Sequence, residues 1–208
     1  MAESSETMNA AIRDQQSGRH AEAVENYRQL LRTDPNHAEV YVNIGIALKA
    51  QGRLGEAITH YKQAIHLKPE LVEAHYNLGN ALKEQERYAE AIECYTQAVG
   101  LKPDFAQAYY NLANALRSCE RFAEAIENYR QAVRLKSDYV AAYNNLAMTL
   151  KDVGRIAEAV ENYRETIRLK PDYPEAHNNL GIALKEQSYL DEAIESYRRA
   201  AGLRPDYA

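Results

Sequence analysis

Residues 72–105 read VEAHYNLGNALKEQERYAEAIECYTQAVGLKPDF, and the fold of the whole chain follows from this stretch. Leu78, Gly79 and Leu82 lie at i, i+1 and i+4, and Tyr88, Ala91, Ile92, Tyr95, Ala98, Val99 and Leu101 follow at three- and four-residue steps. This is the period of helices buried along one face, and the stretch holds two helices of about 14 residues, split near Glu86-Arg87. Working outward, Glu90-Ala91 recurs as Glu22-Ala23, Glu56-Ala57, Glu124-Ala125, Glu158-Ala159 and Glu192-Ala193, each step being 34 residues. Tyr95 recurs as Tyr27, Tyr61, Tyr129, Tyr163 and Tyr197, and Pro103 as Pro35, Pro69, Pro171 and Pro205, with Ser137 breaking that column. Six frames follow without insertion: 4–37, 38–71, 72–105, 106–139, 140–173 and 174–207. They predict that 1–208 is a single all-α domain, an α-solenoid of six helix-turn-helix repeats.

Within the frames, Gly18, Gly52 and Gly154 mark the split between the two helices, as a left-handed helix end favours. Glu86, Glu120 and Ser188 hold the same slot, so the turn has to form there without glycine. Proline at the end of each frame is expected to stop the second helix, because it cannot donate the next backbone hydrogen bond. The small residues Ala11, Gly45, Gly79, Ala113, Ala147 and Gly181 are expected to meet the recurring alanine of the second helix. The tyrosine column is expected to fill the space toward the next frame, each buried large side chain contributing roughly 1.5–3 kcal/mol. The first frame departs from the others, with Asp14 in the slot of Leu48 and Leu82, and Ala10 in that of Ile44 and Leu78. A polar outer face suits a terminal cap, with Met1 as the natural start. The last frame leaves Ile194, Tyr197 and Leu203 without a following helix, and Ala201 replaces the Ile or Val of earlier frames. The expectation is a fragment of a longer protein, or end-to-end self-association through this uncapped C-terminal repeat.

Composition narrows the function. The 208 residues carry 25 Lys and Arg against 30 Asp and Glu, a net charge of −5, which gives no electrostatic reason to expect nucleic acid or an anionic membrane as partner. No apolar run is long enough for a transmembrane helix, and the N-terminal residues lack the pattern of a signal peptide. Two cysteines without such a signal point to a reducing compartment and a cytoplasmic protein, nucleocytoplasmic if eukaryotic. No Gly-rich phosphate loop is present. His20, His37, His60, His66, His75 and His177 never pair at i, i+4, and Cys94 and Cys119 stand 25 apart. Neither a metal site, nor a cofactor, nor a Cys/His nucleophile is predicted, and the chain reads as non-catalytic. The glutamate column opens the second helices, where a carboxylate favours the positive end of the helix dipole.

One column lacks a packing explanation. Asn9, Asn43, Asn77, Asn111, Asn145 and Asn179 recur in every frame, just before the Leu-Gly or Leu-Ala pair or its counterpart. Asparagine is an indifferent helix former, so six copies inside helices are not a propensity effect. Its amide offers a carbonyl and an NH2 that match a backbone N–H and C=O. The column predicts a ladder that grips the backbone of an extended polypeptide with little regard for sequence, each hydrogen bond adding roughly 0.5–1.5 kcal/mol. The competing reading is structural, with asparagine bonded to the adjacent repeat. Tyr76, Tyr110, Asn80 and Asn114 flank the column in the central frames, with Asn144 and Asn178 beyond. Lys49, Lys83, Arg117, Lys151 and Lys185 form a basic column at the helix ends, read as dipole compensation. A carboxylate clamp for a chaperone tail is not predicted, since the inner slots hold Met8, Asn43, Asn77, Glu73, Gln107 and Asn111.

The pattern L-[G/A]-x2-L, A-x3-Y and P at 34 residues resembles the tetratricopeptide repeat (TPR) over nearly the whole chain. That resemblance implies antiparallel helix pairs stacked in a right-handed superhelix, with first helices lining a concave groove and second helices forming the convex face. Residues 77–84, NLGNALKE, and 101–105, LKPDF, are further similar to the superhelical TPR region of the nucleocytoplasmic O-GlcNAc transferases. There an asparagine ladder along the inner groove holds the substrate polypeptide. The resemblance implies that role for Asn43, Asn77, Asn111, Asn145 and Asn179, and for Asn9 in the degenerate frame. That family's glycosyltransferase domain has no counterpart in these residues. The favoured function is a non-catalytic scaffold holding an extended peptide. The alternatives are the substrate-recognition arm of such a transferase and a structural self-assembly module.

Overall fold

The computed structural model describes the backbone of residues 2–204 and the side chains of residues 5–204. Met1, Pro205 and the rest of the sixth frame lie outside the described residues. These form twelve α-helices and no strand: α1 (Ala2–Gln16), α2 (His20–Thr33), α3 (Ala38–Ala50), α4 (Leu54–Leu67), α5 (Val72–Glu84), α6 (Tyr88–Leu101), α7 (Ala106–Ser118), α8 (Phe122–Leu135), α9 (Val140–Asp152), α10 (Ile156–Leu169), α11 (Pro174–Glu186) and α12 (Leu190–Leu203). They are the six helix hairpins of an all-α helical-repeat solenoid. The chain divides into two compact units, 1–103 and 104–208, holding three hairpins each. Within each unit, every helix packs on its neighbours in sequence, and first helices also touch one another, α3 on α5 and α9 on α11.

The turn inside each hairpin is a left-handed helix end. Gly18, Gly52 and Gly154 have φ of 75°, 75° and 79°, and Glu86, Glu120 and Ser188 adopt the same region at 58°, 58° and 66°. The reason is a pair of backbone bonds: Arg53 N–H donates to the Leu48 carbonyl at 3.0 Å and Gly52 N–H to that of Lys49 at 2.9 Å. The same pair closes α5, from Arg87 to Leu82 and from Glu86 to Lys83, each at 3.0 Å. This six-residue closure satisfies carbonyls that the helix end would otherwise orphan, and it holds three non-glycine residues in a disfavoured conformation.

Each second helix then starts on an arginine or tyrosine with no side-chain cap. In its place Arg53 Nε and Nη2 donate to both carboxylate oxygens of Glu56, each at 2.7 Å. Arg87–Glu90, Arg121–Glu124 and Arg155–Glu158 repeat this fork. The glutamate column therefore answers the guanidinium of the preceding turn as well as the helix dipole. Arg19 breaks the pattern, because Asp14 draws it away: Asp14 Oδ1 accepts from Arg19 Nε at 3.0 Å, and Asp14 Oδ2 from Asn26 Nδ2 at 2.9 Å. Asp14 is thus mostly buried and paired, which corrects its reading as part of a polar outer face.

Proline is not what ends the second helices. α8 stops at Leu135 as the others stop at Leu67 or Leu101, although Ser137 follows it. Lys136 there has the same extended backbone, φ −137° and ψ 92°, as Lys68 and Lys102 ahead of prolines.

The core repeats in register. Leu48, Leu82, Leu116, Leu150 and Leu184 are buried, as are the recurring alanines and the first five tyrosines of the column. The small-residue slot faces the tyrosine of its own hairpin. A β-carbon added at Gly79 would lie 2.7 Å from Cε1 of Tyr95, and one at Gly181 2.7 Å from Cε1 of Tyr197. Where the slot is glycine, the nearest side chain to it is the tyrosine of the same hairpin, a neighbour the repeat pattern alone does not name. In the last hairpin Tyr197 is half-buried, and Ile194 and Leu203 are exposed. The turn geometry gives the first prediction. Gly52→Ala lowers and Ser188→Gly raises the midpoint of urea unfolding, each by the equivalent of about 1 kcal/mol, from the cost of a left-handed residue with a β-carbon.

Candidate functional site

The asparagine column lies on the first helices, α1, α3, α5, α7, α9 and α11, and the side chains do not share one environment. Asn43, Asn77 and Asn179 are half-buried, and among the described residues their amides have no hydrogen-bond partner. Asn9 is exposed. Asn111 is half-buried and engaged. Asn145 is tied into the protein: its Nδ2 donates to Asn114 Oδ1 at 3.0 Å and to Tyr110 Oη at 3.1 Å. At Asn145 the geometry is that of the structural reading, and at Asn43, Asn77 and Asn179 it leaves the amides open to a ligand or water.

The flanking residues serve the core tyrosines. Tyr95 Oη donates to Asn80 Oδ1, and Tyr129 Oη to Asn114 Oδ1, both at 2.7 Å. Tyr27 Oη finds Gln15 Oε1 at 3.0 Å. Tyr61 and Tyr163 have no such partner, because the slot of Asn80 and Asn114 holds Ile46 and Met148 in their hairpins, and their buried hydroxyls go unsatisfied. Burial pushes the Tyr61, Tyr95, Tyr129 and Tyr163 hydroxyls far above the ordinary phenol range, so all stay protonated donors. Tyr76 leans on Tyr95 and Tyr110 on Tyr129, ring centroids 6.0 Å apart in each pair, and Tyr110 also lies 4.9 Å from Tyr139. Asn144 is buried, and its Oδ1 has no partner. Asn178 is half-buried.

The remaining polar columns are partly occupied. Arg117 Nη2 pairs with Asp152 at 2.8 Å, and Lys49 with Glu84, so part of the basic column bridges successive hairpins. Burial holds the Lys83 ammonium below its usual range. His75 and His177 each reach the carbonyl of the proline six residues earlier, at 2.7 and 2.8 Å, as Tyr41 reaches that of Pro35 at 3.2 Å. Burial pushes the Cys94 thiol up to about 11, away from the thiolate a nucleophile needs. Among the described residues no three His, Cys, Asp or Glu side chains group as a metal site would. No helix among them is long and apolar enough to cross a membrane. The sequence reading missed two devices, the Arg–Glu fork and the tyrosine–asparagine pair. The first was visible as Arg three residues before Glu in five frames, four of which form the fork.

Short helical hairpins repeated at a fixed period of 34 residues, with a small residue in each first helix and a tyrosine in each second, define a TPR protein. The chain belongs to the family of the cilia and flagella-associated protein 70 C-terminal domain, a TPR family whose model matches residues 2–206. No curated protein matches it significantly in sequence. A crystal structure of MamA is 28% identical with a TM-score of 0.76, covering 78% of this chain and 95% of that one. YrrB, described as a TPR protein with an unusual peptide-binding site, is 23% identical with a TM-score of 0.81, covering 88% of this chain and 95% of its own. PilF of Pseudomonas aeruginosa is 19% identical with a TM-score of 0.80, covering 97% and 92%. The last two likenesses are of fold alone.

The hydroxyl pairing gives the second prediction. Tyr95→Phe lowers stability by about 1 kcal/mol by removing the buried bond to Asn80 Oδ1, whereas Tyr61→Phe is neutral or stabilising, since it removes an unsatisfied hydroxyl; thermal melts of the two variants separate them.

Proposed function

We propose that the chain is a protein- or peptide-binding scaffold that holds an extended polypeptide against its first helices. The observation that carries this reading is the set of half-buried, unpartnered amides of Asn43, Asn77 and Asn179. A peptide group presents one donor and one acceptor, and a side-chain amide satisfies both. Membership in a TPR family supports it, as does the likeness to YrrB, described as having a peptide-binding site. Asn111 and Asn145, with Asn9 at the first hairpin, continue the column. Tyr76 and Tyr110 supply contact area. Asn80 and Asn114 act on the face indirectly, by fixing the tyrosines beneath it.

The test is a double substitution, Asn43→Ala with Asn77→Ala. Two lost hydrogen bonds weaken capture of an extended mixed-sequence peptide by about tenfold, with helicity unchanged in circular dichroism. Asn145→Ala behaves differently: it lowers the melting temperature, because Asn114 and Tyr110 lose a donor. Unchanged capture in the double variant removes the asparagine grip.

A second reading has its own observation. On α12, Leu190, Ile194 and Leu203 are exposed, while Val160 and Ile126, the counterparts of Ile194, are buried. This face suits stacking on another copy. A mass that stays monomeric in light scattering across a dilution series removes it.

A further inference from the structure

The face that carries Asn43 also carries a niche. Glu39, Val42 and Asn43 of α3, with Leu71 and Glu73 at the start of α5, line an open niche of about 140 Å³. Val42 and Leu71 are buried and form apolar walls, while Glu39 and Glu73 are solvent-accessible. The volume is that of about five waters, the scale of a single side chain. Its charge is unbalanced. Lys68 Nζ pairs with Glu39 Oε1 at 2.8 Å, and His37 Nδ1 lies 3.2 Å from the other oxygen. The charges of Glu70 and Glu73 also raise the Lys68 ammonium, after that of Glu39. Two lining carboxylates thus share one paired cation, and Glu73 makes no ion pair among the described residues.

We propose that this niche is a specificity pocket for a lysine or arginine side chain of the polypeptide held on this face. The inference rests on the scaffold reading and deepens it. The alkyl stem lies along Val42 and Leu71, the cationic head meets Glu73 and the accessible edge of Glu39, and the Asn43 amide takes the neighbouring peptide group. A long basic side chain suits such a site because its stem is apolar and its head stays at the wet rim. An apolar side chain would desolvate carboxylates without pairing them, and an acidic one would be repelled. The pocket also sets register. The Glu39 slot holds Ser5, Glu39, Glu73, Gln107, Ala141 and Glu175 along the six frames, and only α3 and α5 put glutamates on successive first helices.

The experiment pans a positional-scanning library of extended peptides against the full chain and against the Glu39→Gln/Glu73→Gln variant. Both residues are exposed and the replacements are isosteric, so the variant keeps its circular dichroism spectrum. The expected result is enrichment of Lys and Arg at one position, about three- to tenfold, falling to parity in the variant while total retained peptide stays similar. Added salt reduces the enrichment. Peptides retained without Lys or Arg enrichment, or with enrichment that survives in the variant, overturn the pocket and leave the scaffold reading standing. Retention of no peptide by the unsubstituted chain overturns both.

Discussion

The structure depends on one recurring contact, the tyrosine ring of the second helix against the small residue of the first, seen at Gly45, Gly79 and Gly181. Where the slot holds glycine, an added β-carbon would strike the ring at Gly79 and Gly181. The tyrosine is the largest side chain among the fully buried ones, and it is buried in five hairpins of six. A hairpin of two short helices has no room for a three-dimensional core of its own. One aromatic ring wedged at the crossing fixes the distance between the helices, and the leucines and alanines around it pack on the neighbouring hairpin.

That contact also couples the core to the candidate binding face. A buried tyrosine needs a partner for its hydroxyl, and in two hairpins the partner is an asparagine on the exposed side of the first helix, Asn80 or Asn114. In the second unit Asn114 passes the connection on to Asn145 and Tyr110. Polar side chains on this face therefore divide into those that finish the core and those that remain open. Asn43 and Asn77 of the first unit, and Asn179 of the second, fall in the open group.

The fold was legible in the sequence because every packing residue recurs at a fixed period. The period alone gave twelve helices, the turns between them and the left-handed residue at Glu86, Glu120 and Ser188. It could not say which residue on one helix meets which on its partner, so the small slot was paired with the alanine and the tyrosine one helical turn beyond it went unnamed. The proline column misled for a related reason. It coincides with the helix ends, yet Lys136 takes the same extended conformation with Ser137 behind it. The candidate site was legible as a column but not in its division. The tyrosine–asparagine bond joins residues 15 apart across a turn, and the tyrosine recurs in frames where no asparagine faces it. Reading that pair requires knowing where the hydroxyl points.

The central claim is that open asparagine amides hold a polypeptide backbone. It is tested most directly by following the side-chain NH2 resonances of the isotope-labelled chain in a nuclear magnetic resonance titration with an extended peptide mixture. The account predicts that the amide signals of Asn43, Asn77 and Asn179 move with added peptide, while that of Asn145, already bonded inside the protein, moves least. Signals that stay fixed at Asn43, Asn77 and Asn179, with changes confined to residues of α12, would contradict it.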